Sequence, residues 1–106
     1  MINIQISRDA STGIIGFRVN GHADTAPRGQ DIVCAGVSAL TQSALLGLDR
    51  CAKRRFDLDI ASGKLTMNLE GKPDILTQAI LETMLLGLVQ IAGNYPKSVR
   101  VEEHRR

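Results

Sequence analysis

The sequence predicts an α+β fold in one domain, with elements in the order ββαββαβ and a mixed or antiparallel sheet accompanied by two helices. Three observations predict it: short runs in which apolar and polar residues alternate, two longer runs with apolar residues at three- and four-residue steps, and turn-forming residues between them. The chain of 106 residues suits a single core, so residues 1–106 are read as one domain.

Ile2, Ile4 and Ile6 alternate with Asn3, Gln5 and Ser7. Ile15, Phe17 and Val19 alternate with Gly16, Arg18 and Asn20. Each period of two predicts a half-buried strand, and Asp9 to Gly13 supplies the turn of a hairpin. A second hairpin is predicted from Phe56, Leu58 and Ile60, then Leu65, Met67 and Leu69, with Ser62-Gly63 turning the chain. Between the hairpins, Val33, Val37, Leu40, Ala44, Leu48 and Cys51 recur at helical spacing, which places a helix from about Ile32 to Ala52. Lys72-Pro73-Asp74 suits a helix start and Gly93-Asn94 before Pro96 a stop, so a second helix runs from about Asp74 to Ala92. Val99 and Val101, alternating with Ser98, Arg100 and Glu102, predict an edge or closing strand. The second helix is apolar on most of its faces, more than one sheet can cover, so a homodimer with this helix near the interface is expected.

Apolar residues make up 43% and charged residues 23% of the chain, an ordinary globular balance. No stretch is expected to cross a membrane, which takes roughly 20 apolar residues. The opening MINIQISRD has no basic leader before an apolar run, so a cytoplasmic protein is expected. The net charge of +2 owes part of its value to Arg105 and Arg106, and Phe17, Phe56 and Tyr95 are the only aromatic residues. That leaves few platforms for stacking bases, so direct nucleic-acid binding is not expected.

Cys34 and Cys51, placed on one helix, would stand roughly 25 Å apart at about 1.5 Å per residue, beyond the reach of a disulfide. No Cys or His pair has the close spacing of a zinc site, so no metal is expected.

The segment Gly21-His22-Ala23-Asp24-Thr25-Ala26-Pro27-Arg28-Gly29-Gln30 predicts a mobile loop of the kind that admits substrates. His22 is its titratable residue near neutral pH. Asp31 is a good N-cap, which would put Cys34 in the first helical turn, in the positive field of the helix terminus. That field contributes only about 0.3 to 1 kcal/mol, so a second group such as His22 must do more to activate the thiol. Two readings of Cys34 stand at this point, a nucleophile or a small packing residue. Ser38, one turn later, could hydrogen-bond a substrate or permit close packing. Asp31 could orient His22 or simply cap the helix. N–H groups of the first turn could stabilise an oxyanion. Cys51 is expected in the core, and His104 on the surface.

Gly21-His22-Ala23 followed by Gly29-Gln30-Asp31-Ile32-Val33-Cys34-Ala35-Gly36-Val37-Ser38-Ala39-Leu40 closely resembles the signature of the bacterial ribosomal-processing cysteine proteases. The similarity covers nearly the whole chain, including Gly87-Leu88 to Asn94-Tyr95-Pro96. The resemblance implies a small cytoplasmic homodimer, needing no cofactor, that removes an N-terminal extension from a large-subunit ribosomal protein. It implies Cys34 as nucleophile and His22 as its acid/base partner, with Gly21, Asp31 and Ser38 as the other signature positions. The chain departs from relatives at Asp24-Thr25, where a glycine and an aromatic residue are frequent, and at Gly36, where alanine is common. A non-catalytic ribosome-associated binding or assembly module is the alternative.

Overall fold

A computed structural model describes residues 1–21 and 28–105. The elements follow the predicted order: β1 (Ile2–Arg8), β2 (Ile14–Asn20), α1 (Arg28–Arg50), β3 (Phe56–Ala61), β4 (Lys64–Leu69), α2 (Ile75–Asn94) and β5 (Val99–Arg105). The five strands form one mixed sheet in the order β3-β4-β2-β1-β5. Pairing is antiparallel except between β1 and β5, which run parallel, so the last strand is an edge as expected.

Both hairpins form at the predicted turns. Asp9 closes the first, its carboxylate accepting from the N–H groups of Ser11 at 3.0 Å and Gly13 at 2.9 Å. The second turns through Ser62 and Gly63, whose φ of +69° is one that glycine adopts without a Cβ penalty. One expected core residue changes. Ile14, not Ile15, is fully buried, because the register runs Ser7↔Gly16 and then Arg8↔Ile14. Ile15 is the extra residue of a β-bulge, which shifts the alternation by one.

The core lies between the sheet and the two helices. Ile2, Ile4, Ile6, Ile14, Phe17 and Met67 meet Val33, Val37, Ala44, Leu45 and Leu48 from α1, and Leu81, Met84, Leu85 and Leu88 from α2. Glycines let the helices approach closely. A Cβ on Gly36 would meet Ile91 at 3.2 Å, one on Gly87 would meet Leu40 at 2.8 Å, and one on Gly47 would meet Ile80 at 3.4 Å. The order of these contacts shows that α1 and α2 are antiparallel.

Three further expectations need correction. Helix α1 begins at Arg28, before Asp31, so Asp31 lies inside the helix and is not its N-cap. The helix ends at Arg50, which leaves Cys51 exposed in the following turn and outside the core. Residues 32–50 and 75–94 are long and apolar enough to cross a bilayer, contrary to the reading from composition, although each packs one face into the core.

Helix α2 is held at its start by a capping box. The Asp74 carboxylate accepts from the Thr77 N–H at 2.9 Å, and the Thr77 hydroxyl accepts from the Asp74 N–H at 3.0 Å. Arg54 clamps this corner by donating to Asp74 and to the carbonyls of Glu70 and Lys72, each at 2.8 Å. At the other side of the sheet, Arg8 donates to Glu82 on α2 and to Glu103 on β5, at 2.7 Å in each case. These bonds raise the already high pKa of the guanidinium and hold the Glu82 carboxyl below its ordinary range.

Candidate active site

A cleft of about 250 Å³ opens between α1 and the end of the β3–β4 hairpin. From the helix it receives Cys34, Val37, Ser38, Thr41 and Gln42, and Ile2, Val19, Ile60 and Leu65 give it apolar walls. Its volume lies below the roughly 300 to 1,000 Å³ of pockets that enclose drug-sized ligands.

Cys34 is partly buried and packs against the core on one side while lining the cleft on the other. Ser38 follows at i+4 and Gln42 at i+8, so helical periodicity sets all three on one face. Ser38 and Gln42 are exposed. Thr41 is buried, and its hydroxyl donates to the Val37 carbonyl at 3.0 Å, which commits that proton to the helix.

Gly21 also lines the cleft. Its N–H donates to the Gly63 carbonyl at 2.9 Å and so ties the end of β2 to the β3–β4 turn. Its φ is +94°, and a Cβ there would stand 2.2 Å from the Met1 carbonyl oxygen. Glycine at this signature position is therefore a requirement of the backbone.

Of the five predicted site residues, the structure brings Gly21, Cys34 and Ser38 to one cleft. Asp31 lies on α1 three residues before Cys34. His22, Asp24 and Thr25 lie outside the described residues. Because α1 starts at Arg28, Cys34 lies beyond its first turn, not within it as expected. The unpaired N–H groups of a helix start belong to about its first four residues. The Cys34 N–H is thus engaged within the helix and is not a free oxyanion donor. Thr41, Gln42, Ile60 and Lys64 are cleft residues the sequence reading did not single out. The four-residue steps from Cys34 to Ser38 to Gln42 along one helix face were the signal for Gln42. Among the described residues no group of three His, Cys, Asp or Glu side chains is placed to hold a metal ion.

A partly buried thiol lining an open cleft is the arrangement a cysteine protease requires, and the model of the family described as cysteine protease Prp matches residues 1–100. The chain belongs to the Prp family. Relatives named ribosomal processing cysteine protease Prp include a Bacillus subtilis protein, 32% identical across 95% of this chain and 96% of its own length. A Staphylococcus aureus relative of the same name is 29% identical across 95% of this chain and 97% of its own. Two crystal structures of the essential ribosomal processing protease Prp from S. aureus share the fold. One, in complex with a covalently linked product peptide, has a TM-score of 0.89 and 27% identity, and the other, with a substrate peptide, has 0.91 and 26%. Each covers 98% of this chain and is itself covered in full. The protein is accordingly a cysteine protease of the ribosomal-processing Prp family.

Proposed function

We propose that the protein removes the N-terminal extension of a large-subunit ribosomal protein, with Cys34 as nucleophile and His22 as general acid and base. The observation that carries this reading is that Cys34 and Gly21 line one cleft. His22 is the next residue in the chain. Consecutive Cα atoms are about 3.8 Å apart, so the sequence itself attaches the histidine directly to a cleft-lining residue.

In the proposed reaction the Cys34 thiolate attacks the scissile carbonyl carbon and the carbonyl electrons move to oxygen. The C–N bond then breaks as His22 donates a proton to the leaving amine, giving a thioester with the N-terminal fragment. Water attacks the thioester, His22 takes its proton, and the C–S bond breaks to release the carboxylate and the thiol. Ser38, exposed one turn from Cys34, supports the substrate or the thiolate by hydrogen bonding, and Asp31 serves as the remaining signature position. No step calls for a cofactor.

The protein acts as a single domain in the cytoplasm and as a homodimer. The outer face of α2 supports the dimer, since Leu86 and Val89 are 72% and 50% exposed there. Light scattering that finds a monomer at micromolar concentration would remove this part of the reading.

The test is cleavage of the host ribosomal protein carrying its extension. Wild-type protein should remove the extension, whereas Cys34→Ala and His22→Ala should each abolish cleavage while retaining the wild-type far-UV spectrum. Full activity in either variant would sink the assignment.

A further inference from the structure

Among the described residues the sheet ends on one side at β3, with no strand beyond it. Phe56, Leu58 and Ile60 pair with Leu69, Met67 and Leu65 and share their helix-facing side of the sheet. Met67 is fully buried, yet Leu58 and Ile60 are 43% and 64% exposed, so the helices stop short of this edge. Asp57 and Asp59 alternate with them on the opposite face, and both are exposed. The result is an uncovered apolar strip beside a row of edge N–H and C=O groups that no strand pairs.

The strip is continuous with the Cys34 cleft. Helix α1 ends at Arg50 and β3 starts at Phe56, so β3 begins near the C-terminal end of the helix and runs back toward Cys34. There Ile60 and Ala61 line the same cleft as the thiol. Four residue steps at about 3.3 Å separate Phe56 from Ile60, so the edge extends the cleft by about 13 Å.

We infer that the substrate chain docks in extended form as a sixth strand along β3. This rests on the reading of Cys34 as the nucleophile. Backbone hydrogen bonds to the free edge hold the peptide, and its alternate side chains lie on Leu58 and Ile60. The intervening side chains face Asp57 and Asp59. The strand therefore selects a segment that is apolar at every second residue and cationic or polar between. A second copy of this chain is a poorer occupant, because pairing β3 with itself brings Asp57 and Asp59 of both copies together, and like charges across strands are destabilising.

The experiment uses two probes. One is a synthetic peptide spanning the extension and first residues of the host ribosomal protein, and the other is a blocked tripeptide coumarin amide that reaches no further than the cleft. Leu58→Lys, on the strip but outside the cleft lining, should raise KM for the long peptide tenfold or more, leave its kcat within twofold, and leave turnover of the short amide unchanged. With wild-type protein, N-methylation along the long peptide should raise KM at every second residue. An unchanged KM, or an N-methyl scan without a period of two, overturns the docking while wild-type cleavage leaves the nucleophile standing. Loss of turnover on both probes in Leu58→Lys also overturns it, as does a change in sedimentation mass, which would make the edge a contact between copies. If wild-type protein cleaves neither probe, the reading of Cys34 falls and the docking with it.

Discussion

Replacing Gly21 by alanine tests whether the lining of the cleft is built as described. A residue with a Cβ at φ +94° sits in a region that costs about 1 to 2 kcal/mol for L-residues. The Cβ would stand 2.2 Å from the Met1 carbonyl oxygen, and reaching even 3.0 Å requires a displacement of 0.8 Å against backbone. The Gly21 N–H bond to Gly63 is the contact most exposed to that shift, and its loss adds about 1 kcal/mol. The sum is about 2 to 3 kcal/mol, which for a domain near this size lowers Tm by about 10 to 20 °C. Because the same shift moves a residue that lines the Cys34 cleft, kcat/KM should fall at least about tenfold, equivalent to about 1.4 kcal/mol. Calorimetry and a peptide-cleavage assay on purified Gly21→Ala check both numbers. A Tm within about 3 °C of wild type would refute the backbone argument.

Gly36→Ala should raise stability by about 0.5 kcal/mol, since up to about 1 kcal/mol of helix propensity is gained and the half-buried Ile91 methyl at 3.2 Å must give only slightly. A lowered urea midpoint would show that Ile91 cannot move. Cys51→Ser should leave kcat/KM and Tm unchanged, because Cys51 is exposed and lies beyond the end of α1, and a loss of activity would contradict its exclusion from the site. Acid should destabilise the fold through Asp74 and Glu82. The Asp74 carboxyl is held below its ordinary range chiefly by the Thr77 N–H, against partial desolvation, with further help from Arg54, and Glu82 is held low by Arg8. Groups lowered on folding contribute stability in full above the ordinary carboxylate range near about pH 4, and that stability is lost as pH falls through their folded values. The urea midpoint should therefore drop on going from about pH 6 to about pH 3, and Asp74→Asn with Glu82→Gln should flatten the drop; an unaltered slope would contradict this.

Both helices and the central strands were legible because each buries one face, and burial writes itself into the spacing of Ile2, Ile4 and Ile6 or of Leu81, Leu85 and Leu88, while β3 was legible from its alternation alone. The bulge at Ile15 was not, since inserting one residue exchanges Ile14 for Ile15 without changing the composition of the run. The start of α1 was misplaced because Asp31 is a good cap in isolation, while Pro27 immediately before Arg28 was the better sign of a helix beginning there. Cys51 fits the apolar stripe by spacing, but the helix stops one residue short of it. Cys34, Ser38 and Gly21 could be named from the motif, whereas Lys64 and Ile60 could not, because only the packing of the hairpin end against α1 brings them to the thiol.

The measurement closest to the central claim is the acyl-enzyme itself. Wild-type protein mixed with an extended substrate peptide, quenched in acid within the first turnover and digested, should carry the N-terminal fragment as a thioester on Cys34 and none on Cys51. An adduct on Cys51, or continued cleavage by Cys34→Ala with no adduct anywhere, would contradict the assignment of Cys34 as the nucleophile.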